Sequence, residues 1–186
     1  MATRTDCWQV ALERVTGMPR AVCDSISGYR PGSWTWPHRA LSQLVRNGFE
    51  VRLIGAFDYW AFALNGFEYL KKRYGGRVAR EQRKMTDLKR AQSDAEVFAR
   101  LCEKLPDLHV NRPARPEDVV ALRARGYGVI AGIGAGHFVV VDDADPFNVT
   151  FSDAGGEAVC NWERFSSMWM QPTPGDSACV GIKPRR

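Results

Sequence analysis

In the first segment of the chain, Trp8, Ala11, Leu12 and Val15 recur among polar neighbours, the spacing of one buried helix face. Asp6 stands where an N-cap belongs, with Gln9 three residues on to complete a capping box. Gly17 and then Pro19 stop the helix, so Cys7 occupies its first position. A second helical pattern runs from Pro37 to Asn47, with Leu41, Leu44 and Val45 on one face, Pro37 at its start and Gly48 as its stop. His38 reads as a surface residue at that helix start. Gly28 to His38 is rich in Gly, Pro and aromatics and reads as a loop. Its Trp34 and Trp36 either line a cleft or fold over the core. Val51 to Ile54 is a short strand.

From Asp58 to Leu105 the pattern predicts two or three helices and no strand. Phe57, Trp60, Ala61, Leu64, Phe67 and Leu70 form an apolar stripe of the kind that faces a core. Asn111 to Arg125 is a Pro-bounded helix, with Pro116, Glu117 and Asp118 near its start. Gly128 to Ile133 is a buried strand. Trp162 to Trp169 is a short helix that covers the core with Trp162, Phe165 and Trp169, and Cys179 to Lys183 adds an edge strand.

Between these lies a β-hairpin. His137 to Val141 and Val149 to Asp153 are strand-like runs, and the turn formers Asp, Pro and Asn lie between them. A turn centred on Asp145 puts Val141 opposite Val149, Val139 opposite Phe151 and His137 opposite Asp153, all on one face. Directly opposed Cβ atoms lie about 4.5–5.5 Å apart, close enough for Asp153 to hold one imidazole nitrogen and leave the other free. A slip of one residue would send Asp153 to the other face. Gly134, Ala135 and Gly136, just before His137, leave room for something to approach the backbone.

The chain has 186 residues, 45% hydrophobic and 25% charged, a size and balance that suit one globular domain. No apolar run approaches the roughly 18 residues of a membrane helix, and the N-terminus lacks the apolar core of a signal peptide. A cytoplasmic location is therefore expected. The five cysteines, Cys7, Cys23, Cys102, Cys160 and Cys179, are scattered without a CxxC pair, so neither a disulfide framework nor a metal site is expected. No cofactor motif is present.

Lys71 to Lys104 holds 11 Lys or Arg against 5 acids, a surplus that leaves the rest of the chain nearly neutral. The region from about 57 to 105 thus reads as a basic helical insertion that suits a solvated face, an acidic carrier protein or another acidic partner. With no stacking aromatics interleaved after Tyr74, nucleic acid is disfavoured.

Cys7 at a helix start, where the helix dipole favours a thiolate, His137 on one strand and Asp153 on the next compose the set needed for thiol nucleophilic catalysis. The order Cys, His, Asp, with Asp6-Cys7 opening a helix and Gly136-His137-Phe138-Val139 followed by a strand ending in Asp153, resembles the papain-like cysteine peptidases. Within them it is most similar to the bacterial C39-like peptidases, and the segment FDYWAFALNGFEYL (57–70) also resembles part of some members. Members usually carry a Gln about six residues before the cysteine, as an oxyanion donor. That place falls at Met1 here, no Gln precedes Cys7, and Gln9 suits a cap better, which leaves Arg4, Thr5 or a residue elsewhere as donor. Members also commonly read Asp-Pro at the final acid. Asp145-Pro146 instead belongs to the hairpin turn.

The predicted elements together read as an α+β fold, one domain in which an N-terminal helix bearing the cysteine packs on an antiparallel sheet, with a helical insertion, and the resemblance implies that this fold is papain-like. It implies a Cys-His-Asp enzyme acting on a peptide, amide or acyl-thioester carbonyl, as a hydrolase or as an acyltransferase or cyclase. The alternative is an inactive scaffold that binds or regulates a partner through its basic helices.

Overall fold

The computed structural model describes residues 6–134, 136–153, 155–170 and 177–185. Among them seven strands make one mixed sheet. They are β1 (Phe49–Ile54), β2 (His109–Val110), β3 (Gly128–Ile133), β4 (His137–Ala144), β5 (Asn148–Asp153), β6 (Gly156–Asn161) and β7 (Cys179–Pro184), in spatial order β2-β1-β7-β3-β4-β5-β6. Only β1 and β2 run parallel; every other neighbouring pair is antiparallel. The helices are α1 (Cys7–Thr16), α2 (Arg20–Ser27), α3 (Pro37–Arg46), α4 (Tyr59–Met85), α5 (Leu88–Lys104), α6 (Pro116–Ala124) and α7 (Trp162–Trp169). The α+β class is as the hydrophobic pattern predicts. No described helix is long and apolar enough to cross a membrane.

Strand alternation sorts the core into two layers. Val140 of β4, Ile130 of β3, and Val180 and Ile182 of β7 pack with Trp8 and Leu12 of α1, Leu41 and Leu44 of α3, and Phe98 of α5. Val139, Val141, Val129 and Cys179 pack on the other side with Val119 and Leu122 of α6 and Phe165 and Trp169 of α7. Helix α1 lies close on the sheet. Trp8 meets Phe138 edge-on at 5.0 Å, and a Cβ added at Gly128 would come within 2.5 Å of Val15 Cγ1.

Several elements differ from the sequence reading, among them β2, which no pattern predicts, and α6, which begins at Pro116 rather than Asn111. Strand β7 sits between β1 and β3 rather than at an edge, because Cys179 to Ile182 are all buried and a run without polar alternation belongs inside a sheet. Strand β6, at the true edge and largely exposed, carries no alternation and is defined by its pairing with β5. Helix α2 fills part of the gap between the two predicted N-terminal helices.

The basic region forms α4 and α5. Gly66 (φ 45°) and Gly75 (φ 86°) break the regular geometry of α4, and ahead of the first break the predicted stripe does not stay on one face. Leu70 and Phe57 are buried, but Leu64 is exposed and Phe62 takes a core place. Helix α5 is built into the main core through Phe98.

His38 is fully buried rather than a surface residue. It packs against Trp36, Tyr59 and Phe62, and its Nε2 lies 2.9 Å from the Ala91 carbonyl oxygen. Burial holds its imidazole down at about 4, so the ring is neutral near pH 7 and Nε2 donates that bond. Polar residues at a helix start are usually exposed; here the packing of α5 across α3 encloses one.

Candidate catalytic site

Cys7 opens α1, with Asp6 as its N-cap residue and Gly17 closing the helix in the left-handed conformation. The capping box does not form. Asp6 makes no side-chain cap bond and meets Arg20 Nη2 at 2.9 Å instead. Gln9 is buried, with neither carboxamide atom hydrogen-bonded among the described residues. Met1 and the suggested donors Arg4 and Thr5 lie outside the described residues.

His137 begins β4 after a turn in which Gly134 (φ 55°) and Gly136 (φ 85°) take positive φ, conformations that favour glycine. A Cβ at either would meet none of the described residues within 4 Å, so the predicted space is there among them; Ala135 lies outside the described residues. Cys7 Sγ sits 3.9 Å from the Gly136 carbonyl oxygen.

His137 Nε2 lies 2.6 Å from Asp153 Oδ2, and the Gly155 N–H donates to Asp153 Oδ1 at 2.6 Å. The carboxylate is thereby fixed at both oxygens. The remaining imidazole nitrogen, Nδ1, is the one left for Cys7. Contact with the Cys7 side chain is the main reason the imidazole is pushed up to about 9; burial works against it, and Asp153 adds to the rise. His137 is therefore protonated at neutral pH. The three residues singled out in the sequence meet at one place.

They meet through a register different from the predicted one. Next to the turn, Ala144 faces Val149 and Asp143 faces Thr150, so Val149 is met three residues away from its predicted partner Val141. An odd displacement would put Asp153 and His137 on opposite faces. The bulge at Asp142 removes one residue of that displacement: Val141 faces Phe151 and Val140 faces Ser152. Continuing that register, Val139 faces Asp153 and His137 lies one pair further along the same face. Direct opposition is thus replaced by a diagonal pair, a separation that long side chains span.

Asp142 is held from three sides. Its carboxylate accepts from the Ser152 hydroxyl and from Arg14 Nη2 at 3.2 Å, and its carbonyl accepts from Arg123 Nη2 at 2.6 Å. The turn itself is the Asx type expected of Asp145-Pro146, with Asp145 Oδ1 accepting from the N–H groups of Phe147 and Asn148.

Cys7 faces an open cleft walled by Trp8, Trp34, Trp36 and Phe138, with the polar side chains Thr35, Gln82 and Thr86. Both alternatives for the loop tryptophans are realised in Trp36, which lines the cleft and also stacks on Phe62 at 4.9 Å. Gln82, on α4, is a carboxamide that sequence proximity to Cys7 gives no way to find. An apolar cavity, lined by Leu53, Phe57, Ile130 and Val180, shares Trp36, Pro37 and Phe138 with this cleft.

All five cysteines are unpaired. Burial pushes up the thiols of Cys23, Cys160 and Cys179, and that of Cys102 to about 12. No group of three His, Cys, Asp or Glu among the described residues is placed to hold a metal ion. Compared with known proteins, the chain matches no family model and no curated protein sequence.

Proposed function

We propose that this protein is a cysteine-dependent acyl-transfer enzyme of papain-like architecture, with Cys7 as nucleophile, His137 as proton shuttle and Asp153 as the group that orients the imidazole. The observation that carries this reading is the 2.6 Å contact of His137 Nε2 with Asp153, which leaves the other ring nitrogen to Cys7. A protonated imidazole beside the sulfur supplies the proton that the leaving group needs.

The thiolate adds to the carbonyl carbon of a peptide, amide or thioester. A C–S bond forms and the carbonyl π pair moves to oxygen. Collapse of the adduct breaks the bond to the leaving group, which takes the Nδ1 proton of His137. Water, or an amine, alcohol or carbon nucleophile, then adds to the acyl-enzyme while neutral His137 accepts its proton, and Cys7 leaves as thiolate. The Cys7 backbone N–H, free at the helix start, is one oxyanion donor. Thr35, Gln82 and Thr86 in the cleft are candidates for a second, in place of the missing upstream Gln. A partner with acidic character, such as a carrier protein, fits the basic α4 and α5.

The test is alkylation of each cysteine by iodoacetamide across pH, read by peptide mass spectrometry, in the parent and in His137→Ala. Cys7 is expected to outrun the other four at pH 6 and to lose that lead in the variant. Equal, slow reaction of all five at pH 6 in both proteins would overturn the reading and leave a scaffold acting by binding alone.

A further inference from the structure

Trp34, Thr35, Trp36 and Thr86 form a wall shared by the Cys7 cleft and a second cleft beside it. Across that second cleft stand three guanidinium side chains, Arg30, Arg39 and Arg90, together with Ser27. They come from the end of α2, the following loop, α3 and α5. Arg39 and Arg90 converge above the backbone of Gly28, where a Cβ would lie 2.9 Å from Arg39 Nε and 2.2 Å from Arg90 Nη2. Gly28 closes α2 with φ 63°, so its lack of a side chain serves both the helix end and the approach of the two arginines.

The carboxylates in this cleft do not use up the donors. Asp94 accepts from Arg39 Nη1 at 3.2 Å and lies 3.9 Å from Arg90 Nε. Asp87 is committed to capping α5, accepting the Arg90 backbone N–H at 3.1 Å. Arg90 Nη1 reaches only the Gly28 carbonyl, at 3.5 Å. Two donors have no partner among the described residues: the Ser27 hydroxyl, on a residue 4% exposed, and Arg39 Nε. Buried donors are almost always paired, and leaving them unpaired is costly. A ligand that brings only acceptors would satisfy this set, and the guanidinium fork matches the oxygens of carboxylate or phosphate.

We propose that this second cleft is an oxyanion-binding site, holding the carboxylate or phosphate end of the molecule whose carbonyl is presented to Cys7 across the tryptophan wall. The assignment of that molecule as substrate rests on the acyl-transfer reading; the affinity for an oxyanion does not.

Two measurements test it. In the first, inorganic phosphate and succinate are titrated into the parent at constant ionic strength, with tryptophan fluorescence as readout because Trp34 and Trp36 line the cleft. At least one of the two is expected to saturate, in Cys7→Ala as well, and Ser27→Ala is expected to weaken it on the order of tenfold. Ser27→Ala removes a hydroxyl that has no partner among the described residues, so it tests the site even if Arg39→Met, which takes from Asp94 one of its two arginine neighbours, does not fold. A change that follows ionic strength alone, or equal affinity in Ser27→Ala, would overturn the site.

In the second, ω-carboxylate and ω-phosphate iodoacetamide derivatives of increasing chain length are compared with their neutral esters for labelling of Cys7, each normalised to plain iodoacetamide in the same variant. The anionic probe of one length is expected to label faster, with the preference lost in Ser27→Ala; whether carboxylate or phosphate leads identifies the class. Saturable anion binding with no such preference at any length would sever the cleft from the reaction. Failure of plain iodoacetamide at Cys7, by contrast, counts against the acyl-transfer reading.

Discussion

Asp142 is the extra residue that β4 carries opposite β5, and its carboxylate accepts the hydroxyl proton of Ser152, a residue 3% exposed. That bond marks the point where the hairpin changes from a register that separates His137 from Asp153 to one that joins them. Deleting Asp142 is expected to move the His137 titration, followed by imidazole C–H resonances, down as far as Asp153→Asn moves it. A titration still near 9 in the deletion would show that the bulge is not what aligns the pair. Asp142→Ala keeps the residue count but leaves the Ser152 hydroxyl unpaired, for an expected loss of about 1–3 kcal/mol in denaturant unfolding.

Cys7 outranks Asp153 among the groups that raise His137. Cys7→Ala is therefore expected to lower its titration more than Asp153→Asn does. The same shift makes a stability statement. The folded value of about 9 lies above the unfolded value of about 6.5, so the folded state binds the extra proton between the two. The contribution of His137 to stability is complete below about pH 6.5 and is lost as pH rises through 9. The melting-temperature difference between parent and His137→Ala should shrink over that window; a constant or growing difference contradicts the assignment.

His38 runs the opposite way. Its folded value of about 4 lies below the unfolded one, so the unfolded chain binds more protons between about pH 4 and 6.5, and stability falls as pH falls through that range. His38→Gln is expected to flatten the acid limb of the melting curve against pH. An unchanged acid limb would mean that another group carries it.

Gly128 lets α1 settle on β3, with only 2.5 Å between its absent Cβ and Val15 Cγ1. Gly128→Ala is expected to cost about 1–3 kcal/mol by overpacking and, by lifting the helix, to slow iodoacetamide at Cys7. Val15→Ala placed in the same chain should restore both. Rescue of stability without rescue of the Cys7 rate would show that the helix position does not set the reactivity.

Much of this protein is written in local pattern. The 3.6-residue spacing of Trp8, Ala11, Leu12 and Val15 is enough to place Cys7 at a helix start, and the β-branched runs around Asp145-Pro146 are enough for a hairpin bearing His137 and Asp153, because backbone geometry converts spacing into faces. The α+β class follows from the same signals. Tertiary packing decided the rest. It buried His38 and Gln9, drew β7 into the middle of the sheet and gave β6 its partner. It also set the register through a bulge at Asp142 that pairs Asp153 with His137, and drew Arg39, Arg90 and Ser27 together from three helices. Each of these depends on residues distant in sequence meeting in space, and no local spacing encodes which distant groups will share a cleft.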